Sequence, residues 1–594
     1  MGNLTINQKW DLNNFFSNRQ RSLQLFVQMT QRELEKNDCQ LINIVDRKCE
    51  VDSKDILNFL QQLNQIKMNL TEASSYIACL ASDIGLDEHM KAIQAQIITL
   101  QYKYDSQLNK FQNELSKLPL VQWEELLNTN NLREFTFILS EWRREKEPNL
   151  ASSTTELLNR LTVDGYHAWG DLYKIAMASL YVELPLQGEV KKYSIGQALN
   201  LRTHQDEHVR KLAHDALESK WSEHQDLFAK ILNHIAGFRL EAYKVQGIHD
   251  VLQEPLIKNR MKQETLNAMW SVIRKNKQPF VNYLNHKAKL QGHSKMQSYN
   301  FWASDFSVGN KMNYTSAIQL VKKSFREFGS RYESFIQKAI EEGWIESENR
   351  AKNSAVAFCS NFPLSRQSRI FLTFDGSYKS LLTLIHEIGH AFHNFAMKDV
   401  ASFNQQYPLT IAETASTFSE LYFLEGALNT CSQLEKINLL DEKLKKSVMN
   451  FMNIHSRFLF EQSFYEERKN GFVSPDRLNE LMKEAISVGY ADAQENTSQF
   501  SWIWTPHFYF TKAPFYNFQY TFGYLLSLSL LAKSKELGAN FEEAYIQLLE
   551  DSGKMTIEDL ILKHLNEDIT TEAFWEKGMQ MSINDVELFI QLTD

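Results

Sequence analysis

Chain breakers and cysteines are scarce in this protein. Its 594 residues include 10 Pro, 21 Gly and 5 Cys. No Gly/Ser-rich or Pro-rich linker occurs, so the chain reads as mostly helical and closely packed, without flexible tethers. Length alone would suggest about four domains, a prior that overcounts in such a chain. Cys39, Cys49, Cys79, Cys359 and Cys431 are odd in number and form no CxxC pair. That argues against a disulfide framework and a cysteine zinc site, and fits a reducing compartment. A basic excess is also missing: 64 Lys and Arg stand against 73 Asp and Glu, a net charge of −9. Nucleic acid as a partner is therefore not expected. The local run "EWRREKE" at 141–147 alternates in sign, as a solvated helix face does. The start, "MGNLTINQKWDL", shows no basic region followed by an apolar run, so no secretory signal is expected. Ile6 stands where a myristoylation site needs Ser or Thr. No apolar run approaches the ~20 residues that span a bilayer; "YLLSLSLLA" from Tyr524 is about half of that. The expectations are a cytoplasmic protein with no membrane contact and no obligate protein partner.

What the chain does have is apolar residues at helical spacing and enough aromatic mass, 38 Phe among 12% aromatics, for a large core. Residues 17–118 carry this spacing in long segments, for example Leu57, Leu60, Leu63 and Ile66. The style continues to about 147, breaks at "EPNLASSTTELLNRL", and resumes from about 197 to 290. No internal repeat stands out. The one clear change of period falls between 354 and 374. There "SAVAFCS" and "RIFLTF" predict two strands around the turn-like "NFPLSRQS". "FDGS" follows, with Asp375-Gly376 as a turn and Ser377 as the cap of the next helix.

That helix carries "TLIHEIGHAFH", residues 383–393. His386 and His390, four apart, project from one helix face and can both reach a Zn²⁺ at ~2.0–2.1 Å. Glu387 beside them is placed to act as a base, the zinc-hydrolase pattern. The plainer alternative is three polar residues that happen to share a helix. A catalytic zinc needs a third protein ligand and one open position. The motif extended by a third His is absent, and His393 reads as a neighbour. Glu413, in "PLTIAETASTFSELYFLEGAL", is the candidate, 23 residues past His390 and beyond the break at Pro408. Ser416 and Glu420 share its face and could support the histidines. Glu413 alone could equally be a carboxylate favoured by a helix N-terminus. Glu387-x-x-His390 also matches half of a di-iron site, but no second Glu-x-x-His exists in the chain.

A second unusual stretch is "WTPHFYFTKAPFYNFQYTFGYLLSL", 504–528. After Pro514, Tyr516, Tyr520 and Tyr524 recur every fourth residue, a stripe of phenols if the segment is one helix. His507 lies just upstream. Phenol O–H and imidazole N–H donors suit an oxyanion; an aromatic packing face is the competing reading.

In combination, HEIGH, "AETAS" and "PHFY…PFYNFQYTFGY", with "WDLNNFF" near the start and "AFCS" upstream, resemble the oligoendopeptidase F branch of the thimet-oligopeptidase-like zinc peptidases. The resemblance spans nearly the whole chain and is strongest over 354–530. It implies one zinc per chain held by His386, His390 and Glu413, with Glu387 as general base. It implies that Tyr524, Tyr520 and His507 serve the oxyanion, and that Tyr516, Ala357 and Phe358 bind substrate. The implied fold is mainly α: a large two-lobed helical ellipsoid around a deep channel, with a small β-sheet beside the zinc-binding helix. The implied segments are an N-terminal helical region (1–110), a helical N-terminal domain of the oligoendopeptidase F type (111–196), and a zinc peptidase domain (197–594). The implied activity is cleavage of internal bonds in short unstructured oligopeptides. A dipeptidyl carboxypeptidase on the same zinc core, or a non-catalytic peptide-binding protein, are the alternatives. The chain departs from the family pattern in three places. Tyr524 follows Tyr520 by four positions rather than three; Ala355 and Val356 stand where glycine is expected; and "FDGS" replaces an Asn-Tyr-type sequence.

Overall fold

A computed structural model describes residues 6–17, 19–46, 53–146, 152–186, 188–303, 311–350 and 357–594. The fold is mainly helical with small sheets, as the sequence predicts. The chain packs as two units, each drawn from three separate stretches. One comprises Met1–Glu147, Asn310–Gly426 and Lys533–Asn566; the other comprises Pro148–Gly309, Ala427–Ala532 and Glu567–Asp594. This division by packing differs in kind from three consecutive sequence segments.

In the first unit, helices Arg19–Asp46, Ser53–Asp83 and Glu88–Ser116 pack on one another. The expected stripe is present with one seat changed. Leu60, Leu63 and Ile66 are buried, whereas Leu57 is half-buried and Ile56 takes the core position beside it. The "WDLNNFF" segment belongs to the same core. Trp10 meets Phe371 at 5.7 Å between ring centroids, and Phe15 stacks on Phe362 at 4.0 Å.

Those two phenylalanines lie in a three-stranded sheet. Phe358–Phe362 pairs antiparallel with Gln367–Phe371, Phe358 opposite Phe371, and Ile345–Glu346 adds a parallel third strand on the other side. The hairpin was legible in the β-branched and aromatic run; the two-residue third strand is too short to leave a period. Residues 354–356, where the first strand was expected to begin and where Ala355 and Val356 fall, lie outside the described residues. The second strand starts at Gln367, earlier than "RIFLTF" suggests, and releases the chain after Phe371. The turn follows as expected. Gly376 has φ +83°, and a Cβ there would stand 2.8 Å from the Met312 carbonyl oxygen. Only glycine fits both conditions. The Ser377 hydroxyl then accepts from the Ser380 N–H and starts the helix Tyr378–Ala396.

The second unit is built on the 40-residue helix Glu207–Gln246, started by Asp206 and ended by Gly247 in the left-handed region. Ile454–Arg468 and Pro475–Tyr490 pack on it, and the unit also holds Gln433–Val448, a π turn at Met449–Asn453 and the helix that begins at Phe518. Its interior holds paired charges: Lys287 with Asp441 at 2.6 Å, Lys445 with Asp441 at 3.1 Å, and Lys443 with Asp585 at 2.7 Å. A hairpin, Tyr181–Leu186 with Glu189–Ser194, was not anticipated. Its signal was available: Val182 and Leu184 are buried while Tyr181 and Glu183 are exposed, a period of two in "YVELPL". Among the described residues, no helix is long and apolar enough to cross a membrane.

Candidate metal centre

The helix Tyr378–Ala396 buries Leu381, Leu384, Ile385, Ile388, Ala391 and Phe392. Asn394 fastens it to the sheet, donating to Ser368 Oγ at 3.2 Å. His386 and His390 project together, ring centroids 4.8 Å apart and planes at 81°. The interior Gly389 has a distinct task. A Cβ on it would lie 2.6 Å from Ser416 Cα and 2.7 Å from the Ala415 carbonyl oxygen. Those atoms belong to the next helix, Leu409–Leu428, which starts directly after Pro408. Glycine therefore lets two helix backbones cross at a separation no side chain would permit, offsetting its helix cost of ~1 kcal/mol.

This crossing brings Glu413 to the histidines. His386 Nε2 and His390 Nε2 are 3.2 Å apart, and Glu413 Oε2 lies 3.4 Å from the first and 3.7 Å from the second. Ligand atoms on a tetrahedral Zn²⁺ with bonds of ~2.0–2.1 Å stand ~3.3–3.4 Å apart, so the three donors outline one face of that tetrahedron. Among the described residues this is the one group of three or more His, Cys, Asp or Glu donors spaced for a metal. The surroundings fit the same purpose. His386 Nδ1 lies 2.7 Å from Glu420 Oε1, a hydrogen bond that keeps the proton on Nδ1 and turns the Nε2 lone pair to the triad. Ser416 Oγ donates to the Glu413 carbonyl at 3.0 Å and reaches Glu413 Oε2 at 3.4 Å. His393 is no part of the group: it is buried, bonded to Ser552 and stacked on Tyr407.

Charge within the triad follows from burial and near neighbours. Burial opposes a charge on His386, yet Glu413 and Glu420 reverse that and raise its pKa to about 10. Burial, then the His386 charge, pushes His390 down to about 4. Glu413 is held below the usual carboxylate range, first by its hydrogen bond with His386. Glu387 is 6% exposed, and burial pushes its carboxyl up to about 7, partly opposed by His386. The proton that Glu413 and Glu420 hold on His386 is the one a metal ion would replace, freeing the Nε2 lone pair, and the neighbouring Glu387 carboxyl has a raised proton affinity.

The aromatic residues singled out in the sequence lie in the second unit. The helix there starts at Phe518, so Tyr520 and Tyr524 are helical while Tyr516 sits in the preceding turn, just after Phe515 at φ +52°. His507, Tyr516 and Tyr520 cluster, with ring centroids 5.0, 5.6 and 5.5 Å apart. All three are half-buried. Tyr524 lies deeper: it is 4% exposed, and its hydroxyl meets Ser447 Oγ at 2.9 Å, which in turn meets Ser582 Oγ at 2.7 Å. That phenol is held within its own unit, whereas Tyr520 is half-buried. The sequence missed Asn517, whose Oδ1 lies 2.7 Å from His507 Nδ1 and orients that ring. No spacing signal marks it. In the first unit, Ala357 leads into the strand and the half-buried Phe358 ring packs on Phe371 and Trp10. What Phe358–Phe362 offers is therefore backbone, as the edge strand among the described residues. Ser75 Oγ donates to the Asn361 carbonyl of this strand at 2.8 Å.

The triad lies within a segment that a family model matches. The family model for peptidase family M3 matches residues 200–581, and that for Oligopeptidase F matches 114–181. The chromosomal oligoendopeptidase F of Lactococcus lactis subsp. cremoris is 25% identical over 414 residues, covering 68% of each chain. Among solved structures, one from Chlamydophila abortus superposes with TM-score 0.86 at 18% identity, over 99% of both chains. The oligoendopeptidase-F of Enterococcus faecium does so with TM-score 0.69 at 18% identity, over 95% of this chain and 98% of that one.

Two substitutions test the construction of the triad. Gly389→Ala should improve helix propensity yet lower both thermal stability and bound metal, because the added methyl meets backbone; a variant as stable and metal-rich as wild type would refute the crossing argument. Glu420→Gln should weaken metal affinity by ~10–100-fold, read by competition with a chromogenic chelator; an unchanged affinity removes Glu420 from the support of His386.

Proposed function

Because the chain belongs to peptidase family M3, we propose that it is a zinc-dependent endopeptidase that hydrolyses internal bonds of short unstructured oligopeptides. The observation that carries this reading is the triad of His386, His390 and Glu413, spaced for a tetrahedral ion with Glu387 adjacent, inside the matched segment. In this reading 197–594 is the catalytic segment, preceded by 1–110 and 111–196. The substrates are oligopeptides; nucleic acid, membrane and obligate protein partners play no part, and the location is the cytoplasm. The charge of −9 without a basic excess supports that choice of partners.

A bound zinc ion supplies Lewis-acid polarisation of the scissile carbonyl and lowers the pKa of water toward ~7. The protein does the rest. Glu420 holds the His386 tautomer, and Ser416 steadies Glu413. The Glu387 carboxylate takes a proton from the attacking water and delivers it to the leaving amine nitrogen. Burial makes Glu387 a stronger base than an exposed carboxylate, matched to proton transfer near neutral pH. Tyr520 acts as a hydrogen-bond donor to the oxyanion, joined by His507 Nε2 when the imidazole is protonated, because its Nδ1–H is given to Asn517 Oδ1, and Tyr516 contributes to substrate binding. The Phe358 end of the edge strand, with Ala357 before it, pairs with substrate backbone.

A quenched peptide of about eight residues, incubated with and without chelator and read by mass spectrometry, tests the reading. Chelator-sensitive cleavage at internal bonds is expected; loss of C-terminal dipeptides alone would overturn the endopeptidase assignment. Glu387→Gln should retain zinc and lose on the order of 10²–10⁴-fold in kcat; near-normal turnover would remove its role as base. Tyr520→Phe should lower kcat more than it changes KM, while Tyr524→Phe should act mainly on stability. The reverse pattern would return the oxyanion role to Tyr524.

A further inference from the structure

In the second unit Arg457 and Arg202 are among the arginines that form no ion pair with a carboxylate among the described residues, and they lie in one another's field. Arg457 lies near the start of helix Ile454–Arg468, and Tyr490 ends helix Pro475–Tyr490, which packs against it. Asn453 Nδ2 donates to the Tyr490 hydroxyl at 3.1 Å and ties these helix ends together. Arg457 Nη1 donates to Asn517 Oδ1 at 3.2 Å, the same oxygen that orients His507. Arg202 donates its Nε to the Leu199 carbonyl at 3.2 Å, with its guanidinium 5.3 Å from the Trp504 ring centroid. It lies within electrostatic reach of both Arg457 and Tyr490.

The charges around this group are one-sided. Arg457 feels burial first, then the Tyr490 and Tyr520 phenols and the repelling Arg202, and its pKa falls to about 10. Tyr490 is pushed up to about 12 by burial, so its phenol is neutral and can donate. The nearest acid along the same helix, Glu461, is engaged elsewhere: its Oε1 accepts from the Phe515 N–H at 2.9 Å, and burial raises its carboxyl to about 7. The same unit pairs its buried lysines Lys287, Lys443 and Lys445 with Asp441 and Asp585. Two like-charged guanidiniums, left without such a partner beside a neutral phenol and an amide, are complementary to a planar anion.

We propose that Arg457, assisted by Arg202 and Tyr490, is a specificity site that binds a carboxylate of the peptide substrate. The inference rests on the oligopeptidase reading above. The Arg457 guanidinium shares Asn517 with His507 and lies within electrostatic reach of Tyr520, two groups that this reading assigns to substrate. The carboxylate is either the peptide's C-terminus or an acidic side chain. Both present the same two oxygens to the guanidinium fork.

The test uses one quenched peptide sequence in matched forms: free C-terminal acid or amide, and an internal Glu or Gln. KM is measured on wild type, Arg457→Gln and Arg457→Lys. Wild type should favour a carboxylate form by on the order of 10–100-fold, the range of a charge-assisted hydrogen bond. Arg457→Gln should bring the ratio to about one, and Arg457→Lys should restore part of it. A ratio that depends on acid against amide identifies the C-terminus; one that depends on Glu against Gln identifies a side chain. No preference in wild type, or a preference that survives Arg457→Gln, overturns the proposal. Should Arg457→Gln lose its thermal transition, Arg202→Gln is read the same way. Anisotropy of the labelled peptides on Glu387→Gln protein separates this inference from the peptidase reading, because it needs no turnover. Carboxylate-dependent binding without any cleavage by wild type would uphold the site and refute the hydrolase.

Discussion

The close crossing of two helix backbones at Gly389 is the constraint on which the candidate centre depends. His386 and His390 come four residues apart on one helix and need no tertiary help to face the same way. A third donor must come from another element, and its distance is set by how near that element can lie. With Ser416 Cα and the Ala415 carbonyl where a side chain would be, the second helix is as near as backbones allow. Glu413 then falls within 3.7 Å of both imidazole nitrogens, and Glu420, two turns on, reaches the outer nitrogen of His386. One missing Cβ thus fixes both a ligand and the group that orients another ligand.

Around that crossing, sequence and packing act in series. Gly376 and the Ser377 cap set where the helix begins, so the histidines fall where they do relative to the sheet. Asn394 ties the far end of the helix to Ser368. Trp10 and Phe15 close the sheet's other contacts through Phe371 and Phe362. Burial of Glu387 raises its proton affinity without a hydrogen-bonded carboxylate partner, so desolvation sets its base strength. In the second unit the same economy is visible in Asn517, one oxygen of which orients His507 and engages Arg457.

Much of this was legible in the sequence because it rests on local rules. Helical spacing, the Asp375-Gly376 turn, the Ser377 cap and the His386–His390 pair each depend on neighbours within a few residues. Glu413 was legible as a candidate and became a member of the triad only through tertiary distance. What escaped notice depended on contacts remote in sequence. Gly389 reads as an ordinary helix position until the second helix is laid against it. Tyr524 reads as one phenol in a stripe until Ser447, 77 residues away, takes its hydroxyl. Arg457 is unremarkable in "NIHSRFLF" until the absence of a carboxylate ion pair among the described residues gives it meaning. The Tyr181–Ser194 hairpin was missed for a different reason: its alternation is short and lies between strongly helical segments.

The most direct measurement is zinc K-edge X-ray absorption on the loaded protein. The account predicts one zinc with nitrogen and oxygen scatterers at ~2.0–2.1 Å in four-fold coordination, and the outer-shell signature of two imidazoles. Substituting Glu413→Ala should remove one light scatterer and weaken retention of the ion. A six-coordinate oxygen environment, a single imidazole, or a spectrum unchanged by Glu413→Ala would contradict the triad as the metal centre.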